Sequence, residues 1–182
     1  MDCDVLTLSG LWDSGSQHWQ TLWERKHPEF KRVAHRDWNN PVCSEWVNEL
    51  DAAIADCEGA PILVAHSLSC MLTAHWARSG SDLKIAGAFL VAPSDVEAAS
   101  FPVDPNGFVP IPLQVLPFPS IVIASTNDPF LSVERGKQFA QAWGSKYVEI
   151  GEAGHVNGES GYGEWPEGEK MLLDFCAQLK KG

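Results

Sequence analysis

The sequence predicts an α/β fold, a three-layer α/β/α sandwich whose mostly parallel sheet has about six strands. Short apolar runs alternate with amphipathic runs along the chain, which is the order that gives a parallel sheet between helices. Several of the apolar runs, among them PILVA, IAGAFLV and SIVIA, have no polar face, as is typical of strands buried on both faces. The length of 182 residues favours a single domain over residues 1–182.

The predicted strands are short apolar segments bounded by turn residues. They are Asp4–Leu8, Arg32–His35, Pro61–Ala65, Ile85–Val91, Ser120–Ser125 and Tyr147–Ile150. The first helix is expected to begin near Ser16 and to bury Trp19, Leu22 and Trp23. In the second, Asn40 is the expected N-cap and Pro41 the first helical residue. Apolar residues then recur at helical spacing as far as Cys57.

The second half of the chain continues the alternation. One helix is expected after Ser67, another over about Ser132–Trp143, and the last from Pro166. The stretch from Phe101 to Pro119 interrupts the pattern, because it holds six of the twelve prolines and can be neither a regular helix nor a central strand. It is either an apolar cover over a site or an irregular connection packed on the surface.

Composition and charge exclude several classes of function. The formal net charge is −11, so a polyanionic partner such as nucleic acid or an anionic membrane is not expected. The first residues, MDCDVLTLSG, lack the features of a signal peptide, and no apolar run has the roughly 18–20 residues that span a bilayer. Five cysteines without C-x-x-C spacing suggest reduced thiols. A cytoplasmic location is therefore expected.

Residues 64–70, VAHSLSC, raise the question of a nucleophilic serine. A nucleophile elbow is a sharp strand–turn–helix, normally written G-x-S-x-G, and here Ala65 and Ser69 stand where the glycines usually do. The turn requires small residues at these positions, and both qualify. We therefore expect Ser69→Gly to be tolerated and Ser69→Leu to distort the turn. The competing interpretation is that Ser67 is an ordinary helix N-cap.

Two further strand ends supply partners for Ser67. Asp128 follows SIVIAS, and His155 follows KYVEI on a glycine-rich loop. In a parallel sheet these ends lie on one edge, and the chain order serine, acid, histidine is that of α/β-hydrolases. The pattern predicts a catalytic triad of Ser67, Asp128 and His155. Asp95 follows the intervening strand and is a rival acid; bracing a loop or lining the site is its alternative role.

A hydrolase also needs donors for an oxyanion. The backbone N–H of Leu68, directly after the serine, is one candidate. The loop after the first strand offers the N–H of Leu11 or of Trp12, since Gly10 allows close approach. The same loop resembles a P-loop only superficially, because Ser16 and Gln17 replace the lysine and the hydroxyl residue that bind phosphate.

The remaining candidates are pocket residues. Those expected to line the site are Trp12, His18, His66, Asp95 and Phe130. Cys70 is interpreted as a small buried side chain rather than a nucleophile. The histidines lack H-x-H or H-E-x-x-H spacing, so neither a metal site nor a cofactor is expected.

Several motifs together resemble a known family. They are S-x-x-x-HWQ-x-x-W from Ser14 to Trp23, R-x-W-x-x-P from Arg36, VAHSLSC, LVAPSDVE, S-x-x-D-P and GHVN. With these the chain resembles the compact serine hydrolases of the α/β-hydrolase superfamily, in the family that includes retinoblastoma-binding protein 9. The resemblance implies a minimal hydrolase fold without a large cap and the same three triad residues. Ser69, in place of a glycine, departs from the family pattern.

The sequence thus favours a carboxylesterase-like serine hydrolase that acts on a small carboxylic ester, thioester or activated amide. The alternative is a catalytically weak hydrolase-fold protein that serves as a protein-binding module, although no feature of the sequence supports a protein partner. A nucleotide-binding α/β protein is disfavoured by the missing P-loop lysine.

Overall fold

A computed structural model describes residues 4–104 and 106–180. Six parallel strands form one sheet: β1 (Val5–Leu8), β2 (Phe30–Arg32), β3 (Ile62–His66), β4 (Gly87–Val91), β5 (Ser120–Ala124) and β6 (Lys146–Glu149). Within the described residues, one helix follows each strand except β4: α1 (Trp19–Lys26), α2 (Cys43–Ala55), α3 (Leu68–Trp76), α4 (Val133–Trp143) and α5 (Pro166–Leu179). This confirms the predicted α/β/α sandwich without a large cap.

The sheet order is β2-β1-β3-β4-β5-β6. The chain first winds outward from β1 to β2, then crosses back past β1 and adds the remaining strands in sequence. In such sheets the crevice at the carboxyl ends, where the winding direction reverses, is the usual binding site. Here that reversal lies between β1 and β3, and β3 leads directly into VAHSLSC.

Two apolar clusters cover the two faces of the sheet. Side chains along each central strand alternate between them; in β3, for example, Leu63 packs on one face and Val64 on the other. Helices α2, α3 and α4 cover the first face, while α1 and α5 cover the second with Trp19, Trp23 and Trp165. Burial on both faces explains why these strands read as uninterrupted apolar runs.

Three predicted boundaries in the N-terminal half are wrong. Helix α1 begins at Trp19 rather than near Ser16, and Leu22 is only partly buried. The second strand ends at Arg32 instead of continuing to His35, because Phe30 fills the core and the His35 ring stacks flat on Trp46, with ring centroids 3.9 Å apart. Helix α2 begins at Cys43 rather than beside Asn40. The N–H of Asn40 is bound by the Asp37 carboxylate in a turn.

The proline-rich stretch from Phe101 to Pro119 is mainly an irregular connection. Phe108, Ile111 and Leu116 are buried in the first core cluster. The Trp143 indole N–H donates to the Pro112 carbonyl at 2.8 Å, which anchors the stretch to α4. These contacts hold the middle and later part of the stretch against the core. Among the residues described, no helix is both long and apolar enough to cross a membrane.

Candidate active site

Ser67 lies at a sharp turn between β3 and α3. Its backbone has φ 59° and ψ −124°, a conformation that non-glycine residues rarely adopt and that costs about 1–3 kcal/mol. The turn is held in place by the Ser67 N–H, which donates to the Val91 carbonyl at the end of β4. Although Ser67 is the N-cap residue of α3, its side chain makes no capping hydrogen bond. The N-cap interpretation therefore does not account for this serine.

The Ser67 hydroxyl points instead at His155. Ser67 Oγ is 2.8 Å from His155 Nε2, and His155 Nδ1 is 2.9 Å from both carboxylate oxygens of Asp128. The Asp128 side chain is fully buried, and the Phe130 N–H also donates to it at 2.9 Å. The structure thus brings the three predicted residues into one hydrogen-bonded line, with an acceptor nitrogen facing the hydroxyl.

Asp95, the rival acid, is placed elsewhere. Its carboxylate pairs with Arg135, whose Nε lies 3.1 Å away, and it is not among the residues that line the cavity above Ser67. The Asp95 N–H donates to the Phe130 carbonyl, so the residue braces the loop that carries Asp128. The expectation that Asp95 lines the pocket is therefore corrected: Arg135 turns its side chain away from the site.

The close approach predicted at Gly10 is present. A Cβ at this position would lie 2.7 Å from Ser67 Cβ, closer than packed carbon atoms approach one another, and 3.1 Å from Ser67 Oγ. The loop after β1 therefore passes directly beside the serine. The Trp12 N–H is already bound to the Trp38 carbonyl at 2.9 Å. The N–H groups of Leu11 and Leu68 have no acceptor within the described part of the chain, so these two remain available to a ligand.

Ser69, at the position of the usual second glycine, is fully buried. Its hydroxyl donates to the Ser9 carbonyl at 2.6 Å. Ser9 directly precedes Gly10, so this bond joins the first turn of α3 to the loop that passes the nucleophile. The replacement of glycine by serine therefore adds a structural tie as well as being small enough for the turn.

The HWQ segment, residues 18–20 at the start of α1, holds the strands and the loop of the site together. The Gln20 amide donates to the carbonyls of Leu8 and Val64, at 3.0 Å each, and so clamps β1 to β3 next to the turn. The Trp19 indole N–H donates to the Val156 carbonyl at 2.8 Å, which anchors the loop of His155. Sequence reasoning saw only a buried face here and missed both roles.

Two buried histidines adjoin the line of three residues. His66 Nε2–H donates to the backbone carbonyl of His155 at 2.8 Å, and burial lowers the pKa of His66 well below its ordinary value, so its ring is neutral. Burial, with a contribution from the Arg32 charge, lowers the pKa of His18 to about 3. These two rings therefore stay uncharged across the neutral range and do not compete with His155 for a proton.

A cavity of about 530 Å³ opens above Ser67. Four of the predicted lining residues, Trp12, His18, His66 and Phe130, contribute to its wall. Its apolar part also includes Leu11, Phe101 and Pro102, and its mouth carries Asp13, Gln17, Asn157 and Glu159. Of the described residues in the proline-rich stretch, only Phe101 and Pro102 reach the cavity, so most of the stretch does not cover it.

Sequence reasoning also missed Ser94. This residue lies one position before Asp95, is 1% exposed and lines the cavity. Its Oγ is 2.8 Å from Ser67 Oγ. Its place just beyond the end of β4 was the available signal, but attention to carboxylates favoured its neighbour.

Among the described residues, neither Cys70 nor a cluster of metal-binding side chains forms a second reactive centre. Burial raises the pKa of the Cys70 thiol well above its ordinary value, so this residue beside the elbow is a poor nucleophile. Within residues 4–104 and 106–180 no group of three or more His, Cys, Asp or Glu side chains is arranged to hold a metal ion.

Comparisons with known proteins identify the family and the fold. A family model described as "Serine hydrolase" matches residues 5–174. A candidate YdeN-like hydrolase from Pectobacterium atrosepticum is 36% identical, with 97% of this chain and 92% of that chain covered and a TM-score of 0.87. The ydeN gene product of B. subtilis is 17% identical (99% and 100% covered, TM-score 0.75), and the esterase RhEst1 from a Rhodococcus species is 14% identical (97% and 91% covered, TM-score 0.69). No curated protein matches the chain.

Proposed function

The chain belongs to the serine hydrolase family, and from that premise we propose that it hydrolyses a small carboxylic ester, thioester or activated amide through an acyl-enzyme. The observation that carries the proposal is the hydrogen-bonded line from Ser67 Oγ through His155 to Asp128, with contacts of 2.8 and 2.9 Å. Such a line is what a serine needs in order to become a nucleophile.

Each of the three residues has one task in this mechanism. Ser67 Oγ attacks the substrate carbonyl while His155 Nε2 takes its proton, and His155 then returns that proton to the leaving group. Asp128 accepts from His155 Nδ1–H, which keeps the tautomer that leaves Nε2 free to accept, and it stabilises the imidazolium that forms. Water next attacks the acyl-enzyme by the same route and releases the acid.

The oxyanion is assigned to the N–H groups of Leu68 and Leu11. Leu68 is the first residue of α3, so its N–H has no partner within the helix and lies at the positive end of the helix dipole. Leu11 follows Gly10, whose contact with Ser67 keeps the loop next to the reacting atoms. A donor of this kind typically contributes about 2.7–4 kcal/mol to the transition state. The mechanism needs no cofactor.

The cavity supports a small substrate. At about 530 Å³ it falls within the range of small-molecule sites, and an apolar wall of Leu11, Phe101 and Phe130 suits an acyl or alkyl group. The net charge of −11 argues against nucleic acid and anionic membranes as partners. We accordingly propose an esterase of small molecules that acts in the cytoplasm.

The test is to compare the wild-type protein with Ser67→Ala in two assays. We expect a fluorophosphonate probe to label the wild type alone, and p-nitrophenyl esters to be hydrolysed by the wild type alone. Probe labelling at another residue, or ester turnover by Ser67→Ala, would overturn the assignment. A wild-type protein that the probe does not label would instead favour the protein-binding alternative. Rates along an acyl-chain series would then report how much chain the cavity accepts.

A further inference from the structure

Ser94 lies beside the nucleophile without a role in the mechanism above. Its Oγ is 2.8 Å from Ser67 Oγ, and the residue is 1% exposed. It is placed there by the end of β4, where the Ser67 N–H donates to the Val91 carbonyl. The Ser94 side chain has no other hydrogen-bond partner among residues 4–104 and 106–180, so its hydroxyl depends on Ser67.

The direction of the hydrogen bond follows from the neighbouring groups. A carboxylate can only accept, so His155 Nδ1 donates the ring proton to Asp128, and Nε2 is then the acceptor nitrogen of the imidazole. Ser67 therefore donates its single proton to His155 Nε2. Because that proton is committed, Ser94 must be the donor in its contact with Ser67 Oγ.

We propose that Ser94 is a further catalytic residue, which donates a hydrogen bond to Ser67 Oγ and thereby accelerates release of the acyl group from the enzyme. The proposal rests on the acyl-enzyme mechanism of the proposed function. What matters is how well Ser67 Oγ accepts a hydrogen bond at each stage. An alcohol oxygen accepts well, and so does the oxygen released as the ester bond breaks, but the bridging oxygen of an ester accepts poorly, because its lone pair is delocalised into the carbonyl.

The hydrogen bond is therefore present in the free enzyme and retained in the transition states, but weakened in the acyl-enzyme. There Ser94 becomes a buried hydroxyl without a good partner, which raises the free energy of the acyl-enzyme. Deacylation starts from this raised state and becomes faster. Acylation starts from the free enzyme, where the bond is already made, and changes little.

In deacylation one bond forms at the acyl carbon and one breaks. Water forms a bond to the acyl carbon while its proton passes to His155 Nε2. The bond between the acyl carbon and Ser67 Oγ then breaks, and its electron pair remains on Oγ, which takes the proton back from His155. Ser94 supplies a donor to Oγ while this charge develops and keeps its own proton throughout.

The experiment compares Ser94→Ala with the wild type on p-nitrophenyl acetate, whose rapid acylation makes deacylation limit kcat. We expect kcat to fall about tenfold, equivalent to about 1.4 kcal/mol, because the acyl-enzyme of the variant no longer holds a buried donor without a good partner. KM should fall by a similar factor, so that kcat/KM stays near the wild-type value. The initial burst of p-nitrophenol should persist and be followed by a slower steady rate.

Three further variants make the result specific. Ser94→Thr keeps the donor and should restore kcat, while Ser94→Cys has a similar size but a weaker donor and should give an intermediate kcat at unchanged kcat/KM. Ser94→Cys also gives a readout if the alanine variant does not fold. Ser120→Ala is the matched control, because Ser120 Oγ forms a similar serine pair with Ser145, at 2.6 Å, at the start of β5. Its kinetics should equal those of the wild type.

Two results would overturn the role of Ser94. One is an unchanged kcat in Ser94→Ala and Ser94→Cys, and the other is an equal loss of kcat and kcat/KM at constant KM, which indicates damage to acylation or to the site as a whole. Failure of the proposed function would look different, since Ser67→Ala would then retain turnover or the wild type would show no burst.

Discussion

Replacing Ser69 by alanine tests how the elbow holds the loop that passes the nucleophile. The Ser69 hydroxyl donates to the Ser9 carbonyl at 2.6 Å, and both residues are fully buried. The Ser9 hydroxyl itself has no hydrogen-bond partner within the described residues. The bond from Ser69 is therefore not duplicated by one from the Ser9 side chain. Ser69→Ala fits the space but leaves this carbonyl without its donor.

The expected cost follows from that burial. Leaving a buried polar group unpaired costs about 1–3 kcal/mol. At about 2 kcal/mol, a protein of this size should lose roughly 4–8 °C in Tm. Because Gly10 and Leu11 follow Ser9 directly, kcat/KM should fall together with stability. The measurements are urea unfolding, thermal melting and ester hydrolysis on the same preparation.

Glycine at position 69 removes the same hydrogen bond as alanine. Because glycine is small enough for the turn, Ser69→Gly should fold. It should lose at least as much stability as Ser69→Ala, because it also lacks the hydroxyl and because glycine lowers helix propensity. The control is Ser79→Ala. The Ser79 hydroxyl also donates to a backbone carbonyl, that of Trp76 at 2.8 Å, but Ser79 is exposed, so its loss should lower the free energy of unfolding only slightly. A Ser69→Ala protein with wild-type Tm and wild-type kcat/KM would refute the argument.

Three more outcomes can be measured. Gly10→Ala places a Cβ 2.7 Å from the Cβ of Ser67 and should abolish ester hydrolysis. The control Gly15→Ala, whose new Cβ has no atom within 4 Å, should keep its activity. Equal activities of the two variants would contradict the close approach of Gly10 to Ser67. Asp128→Asn should lower kcat by roughly 10⁴-fold, as expected for the wrong histidine tautomer. Asp95→Asn should keep a kcat near that of the wild type. A large loss of kcat in Asp95→Asn with little loss in Asp128→Asn would identify Asp95 as the acid. Burial lowers the pKa of His18 to about 3. Between about pH 6.5 and 3 the histidine is therefore protonated in the unfolded chain but not in the native protein. Lowering the pH through this range should reduce the free energy of unfolding by up to about 1.4 kcal/mol per pH unit. His18→Asn, which keeps a capping side chain, should flatten that slope in urea unfolding at successive pH values, and an unchanged slope would show that other groups cause it.

Much of the fold could be predicted because its main determinants are local. A strand buried on both faces must be apolar throughout, so β3, β4 and β5 are visible in the sequence. Parallel strands bring their carboxyl ends to one edge, so Ser67, Asp128 and His155 could be placed near one another before any contact was known. What the sequence supplied was the position of each residue relative to the end of its strand.

The features that the sequence did not reveal depend on contacts between distant segments. The N–H of Cys43, the first residue of α2, donates to the Asn106 carbonyl at 3.0 Å, and nothing near Cys43 in the sequence signals this partner. Ser94 acquires its role only because β3 and β4 are neighbours. Ser69 was judged by its size, since no local pattern indicates that the Ser9 carbonyl lies within reach of its hydroxyl.

The strand order has a consequence for how activity can be used as a measurement. The groups assigned to catalysis come from the ends of β1, β3, β4, β5 and β6, so five neighbouring strands of the six each supply at least one of them. In the chain these five strand ends are separated from one another by whole connecting segments. Turnover therefore requires these five strands to be in register, and the rate of ester hydrolysis during refolding should report assembly of this part of the sheet rather than formation of any single helix or turn.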